Sequence, residues 1–446
     1  MAFLRLFDLK RKIHAINEER RKAISYQQFQ GESDNEDELA THPYFSLSFV
    51  CAPPRMAHYI EVSTKIYQIY LRFVAKEDIH VYSIDEVFMD ITKYLRPSGC
   101  SAHDFARRII QEILRETKIT ATAGIGSNLY LAKVAMDIVA KHIPADSDGV
   151  RIAELTEMSY RRLLWSHRPL TDFWRVGRGY AKRLEEVGLY TMGDIARCSL
   201  GKFSDHYNED LLYSMFGINA ELLIDHAWGY EPCTMEDIKN YRPDSNSIGT
   251  GQALPSPYPY AKARLIVREM ADALALNLVE KGLVSDGIHL AIGYDISNLQ
   301  GERKGEVKEI KKDYHGRDVP KGVHAGVTFE RFTSSEKLIG EAAVEIFDKI
   351  CGKNMLVRRI YLTAFHVIKE SEAYQKEKVE QGSLFEDFVE EKRESIEEKL
   401  QKEKRGQKAI LAIKKKYGKN AILKGMDLQE GATAKVRNEQ IGGHKA

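Results

Sequence analysis

The sequence has few features that would place it outside the cell or in a membrane. Its five cysteines (Cys51, Cys100, Cys198, Cys233, Cys351) are odd in number and far apart, with no Cys-x-x-Cys pair. That pattern excludes a disulfide framework and a cysteine-built zinc site, and it fits a reducing, cytoplasmic compartment. No run of 18 apolar residues exists, so no transmembrane helix is expected. The N-terminus turns charged at Arg5, Lys10, Arg11 and Lys12 without an apolar core of a signal peptide. An excess of one charge is also missing: 66 Lys+Arg stand against 65 Asp+Glu. A uniformly basic protein is excluded, while a basic face is not, because a total hides its distribution. With 446 residues, 43% hydrophobic and 29% charged, the chain is apolar enough to build real cores and long enough for about three domains.

The spacing of apolar residues predicts a basic amphipathic helix over 2–24, a polar acidic loop near 31–38, a short strand over 45–50 and a helix over 56–73. A β-like run over 79–91 carries Asp85 and Glu86 at its middle, and helix 105–117 follows. Strand 120–125 then opens through Gly124-Ile125-Gly126-Ser127-Asn128 into helix 129–141. Short helices fill 153–235. From 243 the order is strand, long helix, strand, strand, helix, strand. Within it Ile288, Leu290, Ile292 and Tyr294 alternate with His289, Ala291 and Gly293, the period of a half-buried strand. Residues 300–322 read as a long loop. Beyond 370, seven acids crowd 386–398, and nine bases with one acid fill 402–424, which reads as an appended tail whose basic run is expected to be a helix that adds nonspecific DNA affinity or, through Ile410, Leu411, Ile413, Ile422 and Leu423, docks on the protein.

Four segments carry chemistry. In Ser83-Ile84-Asp85-Glu86-Val87-Phe88, two adjacent carboxylates in an apolar run repel and cost desolvation unless a cation or solvent meets them. A hard divalent ion takes such oxygen ligands and shares them with substrate phosphates; a solvated hairpin turn is the alternative. The strand-to-helix junction at 123–128, with Lys133 about one turn further on, suits a polyphosphate, or is an ordinary helix cap. Arg175, Val176, Gly177, Arg178 and Lys182 surround a glycine turn between short helices, suited to backbone phosphates or simply solvated. Gln381-Gly382-Ser383-Leu384-Phe385 places an apolar pair in polar surroundings, as a peptide that anchors in a partner's groove would.

The order and spacing of these pieces resemble the Y-family translesion DNA polymerases, the UmuC/DinB class, in their Gram-positive form. The Leu212-Tyr213, Phe216-Gly217 and Gly229-Tyr230-Glu231 segments add to the resemblance, which runs to about residue 368. It implies an α+β multidomain fold: an incomplete palm with an antiparallel sheet and partial fingers (1–155), a helical thumb (156–235), an α+β little finger (243–368) and a clamp-binding, basic tail (369–446). It implies that Asp85 and Glu86 bind catalytic Mg²⁺ and that Lys133 contacts the deoxynucleoside triphosphate. Arg175, Val176, Gly177, Arg178 and Lys182 would hold primer-template DNA, and Gln381, Ser383, Leu384 and Phe385 a sliding clamp. The implied function is template-directed synthesis opposite damaged DNA; a catalytically inactive DNA- and clamp-binding remnant is the alternative.

Two departures stand out. Arg175 occupies the place of a family glycine. The family's opening strand, Asp-x-x-x-[Phe/Tyr], with its first metal-binding Asp, has no separate counterpart before residue 83. Asp78 to Tyr82 fits the letters but runs straight into the Asp-Glu motif, and Asp8 is followed by Lys12. The first palm strand and most of the fingers are therefore expected to be missing, and activity to be impaired.

Overall fold

The computed structural model describes residues 6–243, 246–313, 316–373 and 387–445. The chain divides into two compact units, Met1–Tyr241 and Arg242–Ala446.

The first unit opens with α1 (Leu6–Ala23). The following acidic segment is ordered rather than a loop. Gly31–Ser33 pairs in parallel with Phe45–Leu47, and Asn35 caps a short helix at Glu36–Thr41. Helix α1 fastens this piece. Asn17 exchanges two hydrogen bonds with the Leu47 backbone, at 2.7 and 2.9 Å, and Arg20 donates to the carbonyls of Leu39, His42 and Phe45. Composition alone gave no sign of these distant backbone partners.

Helices α2 (Met56–Tyr70) and α3 (Ala102–Thr117) enclose an antiparallel hairpin of β1 (Ile79–Val81) and β2 (Val87–Met89). Phe105, Ile109 and Ile113 recur every four residues on α3 and bury one stripe against Ile69, Val74 and Ile79. Strand β3 (Thr122–Gly126) pairs in parallel with β4 (Arg151–Leu155). Between them α4 (Leu129–Val134) continues as a π-helical turn at Ala135–Val139. The expected antiparallel palm sheet is thus corrected: among the described residues this region holds one antiparallel hairpin and separate parallel pairs. Parallel pairing across a helix depends on chain reversal, which strand periodicity does not encode.

Helices α5 (Glu157–Leu164), α6 (Arg178–Glu186), α7 (Met192–Cys198), α8 (Glu209–Phe216) and α9 (Asn219–Trp228) follow. They share one core with α4, in which Tyr130, Leu131, Tyr160, Phe173, Leu184, Met192 and Ile195 are fully buried or nearly so.

In the second unit, β5 (Ile248–Tyr258), α10 (Tyr260–Lys281), β6 (Leu283–Tyr294), β7 (Val323–Thr333), α11 (Glu336–Ile350) and β8 (Val357–Phe365) follow in chain order. The antiparallel sheet runs β7-β6-β8-β5, and short strand Ile368–Lys369 adds to β6. Ile288, Leu290 and Ile292 of β6 and Ile360, Leu362 and Ala364 of β8 meet Ile266, Met270 and Leu274 of α10 and Ile339, Ala343 and Phe347 of α11. Residues 300–322 include a small hairpin, Ile310–Lys312 with Asp318–Pro320.

The C-terminal residues are not a free tail. Helix α12 (Asp387–Tyr417) and the chain after it lie on α10 and α11. Glu403 accepts from Ser335 Oγ at 2.8 Å and from the Lys337 amide at 3.0 Å, and Gln407, almost fully buried, donates to the Ser334 carbonyl. Lys424 pairs with Asp272 at 2.8 Å and with Glu336. Further on, the amides of Thr433 and Ala434 converge on the carboxylate of Glu269. No described helix is long and apolar enough to cross a membrane.

Candidate active site

Asp85 and Glu86 lie in the turn between β1 and β2, where adjacent carboxylates avoid burial in the strands. The turn is closed by the amides of Tyr82 and Ser83, both donating to the Glu86 carbonyl at 3.0 Å, and Ser63 of α2 donates to the Ile84 carbonyl. The two side chains have different partners. Asp85 is exposed and accepts from Ser83 Oγ at 2.6 Å. Glu86 is turned toward α4, and its Oε2 stands 2.8 Å from Lys133 Nζ.

Lys133 reaches the turn because α4 folds tightly against β3, and two glycines permit that approach. A Cβ at Gly124 would stand 2.1 Å from the Ala132 carbonyl oxygen, and one at Gly126 2.5 Å from the Ala132 nitrogen. The Leu131 amide at the start of α4 is already taken by Asn128 Oδ1 at 2.8 Å. These glycines therefore serve packing.

Four charges form a square at the turn. Lys133 also bonds Asp137 at 2.9 Å; Lys141 bonds Asp137 at 2.6 Å and lies 3.8 Å from Glu86. Burial of Lys133 disfavours its charge, and its hydrogen bonds to Glu86 and Asp137 outweigh that, so the ammonium is held above its ordinary range. Asp137 and Lys141 were not singled out from sequence. Their signal was present, since 133, 137 and 141 are spaced four apart and share one helix face.

A second link joins the hairpin to the glycine turn of the helical block. Trp174 Nε1 donates to Tyr82 Oη at 3.0 Å, and the Trp174 ring sits 5.7 Å from Phe88 of β2. Arg175 adopts φ +66, the left-handed conformation in which glycine is favoured, and its guanidinium lies over the Trp174 ring. Arg175, Gly177, Arg178 and Lys182 are exposed around the start of α6. Val176 differs: its side chain is buried in the helical core, which leaves only its backbone for a phosphate. Behind the turn, His226 is paired with Glu231 at 2.9 Å and stacked on Tyr130, both wholly inside. Asn128 donates to the Gly229 carbonyl, so Gly229 and Glu231 are structural members of this core. Nothing in residue spacing pointed to the Tyr82–Trp174 pair.

Asp78, the residue matching the letters of an opening strand, is held by Lys93 and Tyr94, whose hydrogen bonds keep its carboxyl below the ordinary range. Among the described residues no group of three or more Asp, Glu, His or Cys side chains is placed to hold a metal. Gln381, Ser383, Leu384 and Phe385 lie outside the described residues.

Comparison with known proteins identifies the family. The impB/mucB/samB family matches residues 41–137, and the impB/mucB/samB family C-terminal domain matches residues 245–384, together more than half of the chain. A Bacillus subtilis strain 168 protein named for UV-damage repair, UvrX, is 28% identical over 397 residues, which cover 88% of this chain and 80% of the relative. DNA polymerase IV 2 of Halalkalibacterium halodurans is 26% identical over 403 residues, 89% of this chain and 82% of that one. A solved Y-family DNA polymerase chimera aligns at 20% identity with a TM-score of 0.49, covering 74% of this chain and 81% of the chimera. The chain belongs to the impB/mucB/samB family, the Y-family translesion DNA polymerases.

Proposed function

We propose that this chain carries the metal- and triphosphate-binding side of a translesion DNA polymerase, with Asp85, Glu86 and Lys133 as its working residues. The observation that carries the reading is the exposed Asp85–Glu86 turn with the Lys133 ammonium 2.8 Å from Glu86. Two oxygen donors at a solvent-facing turn suit Mg²⁺, which usually takes one or two carboxylates and fills its remaining positions with water and substrate phosphates. Bound there, the ion would neutralise phosphate charge and lower the pKa of the primer 3′-hydroxyl.

The residues of the chain do the rest. Lys133 leaves Glu86 for the triphosphate oxygens, a switch between two acceptors that both favour its charged form. Glu86, relieved of its cation, becomes available as a ligand beside Asp85. Arg175, Arg178 and Lys182, with the Val176-Gly177 backbone, hold primer-template phosphates, which fixes the reacting ends without reading sequence. The 381–385 peptide docks on a sliding clamp and keeps the chain on damaged DNA.

Two-metal transfer draws on a third carboxylate; the one beside the turn, Asp137, is bound by Lys133 at 2.9 Å and Lys141 at 2.6 Å, and among the described residues no three such groups are placed to hold a metal. The 446-residue chain alone should therefore bind primer-template DNA and extend it poorly. The same observation favours a second reading, a DNA- and clamp-binding protein in which the charge square is purely structural. The two separate on triphosphate binding. A fluorescent deoxynucleoside triphosphate with Mg²⁺ should bind to the chain on primer-template DNA and lose affinity on Lys133→Ala. Equal binding by both proteins supports the second reading.

A further inference from the structure

We propose that the outward face of α12 is a second contact for the phosphate backbone of duplex DNA, separate from the exposed turn near α6. The proposal rests on the reading of the chain as a DNA-binding polymerase. Three observations carry it. First, α12 docks by one side: Glu403 and Gln407 bond residues 334–337, and Ile410 and Leu411 are half-buried. Second, at about 100° per residue, Lys402, Arg405, Lys408, Lys415 and Lys416 fall within one arc of roughly 140° on the other side of the helix. All five are exposed, and none makes an ion pair among the described residues. Third, the bases of this region that do have acidic partners face inward: Lys404 pairs with Glu370, and Lys424 with Asp272 and Glu336. The fold thus neutralises the inward bases and leaves the outward five without an ion pair among the described residues.

The face fits a phosphate backbone in length and chemistry. From 402 to 416 the helix rises about 21 Å, along which a duplex presents a negative charge about every 1.7 Å of its axis. A membrane surface fits less well, because an interfacial helix presents large apolar side chains to the lipid. Between these bases the arc carries only the small residues Ala409 and Ala412. Five like charges on a docked, rigid helix also repel one another, which an approaching polyanion relieves.

The test uses the full chain with Lys402, Arg405, Lys408, Lys415 and Lys416 all changed to Gln, and a companion in which the four lysines become Arg. Affinity for a blunt DNA duplex is measured across a salt series. The Gln protein should show a salt slope shallower by about 2 to 4, because each lost phosphate contact removes about 0.9. The Arg protein should keep the original slope. Unchanged thermal unfolding of the Gln protein is expected, since none of the five touches the docked side. An unchanged slope in the Gln protein overturns the proposal while leaving the polymerase reading intact. A wild-type chain that does not bind DNA overturns both. Loss of binding to phosphatidylserine-containing vesicles, with DNA binding unaltered, overturns it in favour of a membrane surface.

Discussion

Glu86 and Lys133, 47 residues apart in sequence, meet at 2.8 Å, and each leans on a third and fourth charge supplied by Asp137 and Lys141. The Lys133 side chain is 9% exposed, whereas that of Lys141 is 38% exposed. Removing the buried cation leaves Glu86 and Asp137 facing one another with a partly solvated partner. Lys133→Met should destabilise the first unit by about 1–3 kcal/mol, and Lys141→Met by less than about 1 kcal/mol. Urea unfolding of the two variants measures the difference; equal costs would show that the square is not organised around Lys133.

The Trp174–Tyr82 hydrogen bond ties the hairpin of the two carboxylates to the turn of exposed bases. Trp174→Phe and Tyr82→Phe each remove the bond and keep most of the packing. Each should cost about 0.5–1.5 kcal/mol, and the double variant should cost less than their sum, because both delete the same contact. Strict additivity in a double-mutant cycle would mean that the pair is not coupled.

Acid should unlock the core behind that turn. Burial pushes the Glu231 carboxyl up, but its bonds to His226 and the Cys233 amide prevail and hold it below the ordinary value of 4.5. A carboxyl lowered in the folded state contributes stability above its unfolded pKa and loses it as pH falls through the folded one. Stability should therefore drop below about pH 4.5, and Glu231→Gln should flatten that limb. Melting temperatures across an acid series check this; parallel curves for the two proteins would contradict it.

Glu269 sits in the middle of α10, buried, and its carboxylate is met by the amides of Thr433 and Ala434 and by the Thr433 hydroxyl. Burial raises its pKa, which those bonds only partly counter. A chain ending at residue 425 strips away these donors and the cover over α10. It should lose about 1–3 kcal/mol in the second unit, and the further change Glu269→Gln should recover part of it. Hydrogen exchange of α10 amides reports the loss; unchanged protection would show the C-terminal segment to be dispensable.

Leu384→Ala with Phe385→Ala should abolish binding to a bacterial sliding clamp and leave binding to bare DNA nearly unchanged, read by surface capture of the clamp. Clamp binding that survives the double change would make the 381–385 peptide a chance match.

The second unit was largely legible in the sequence, for physical reasons. Helix Glu336–Ile350 shows its serine cap at Ser335 and its Ile339-Ala343-Phe347 stripe directly in the residue order, and the alternation 288–294 marks β6. The Asp85–Glu86 turn was legible because adjacent carboxylates do not belong inside a strand. What escaped depends on distant partners. Glu269 looks like any solvent-facing helix acid until Thr433 is brought over it. Ile410 and Leu411 marked 402–424 as a helix able to dock, but composition does not reveal that Glu403 and Gln407 fasten it. The burial of Val176 beside the exposed Gly177 is decided by helices that arrive later in the chain, which residue order does not show.

Mg²⁺-dependent primer extension by the chain, measured beside its Asp85→Ala variant, is the sharpest check on the turn as a metal-binding site. Weak, Mg²⁺-dependent extension is expected from the chain, and none when Asp85 is alanine. Extension that survives Asp85→Ala would contradict the assignment of the turn as the metal-binding site.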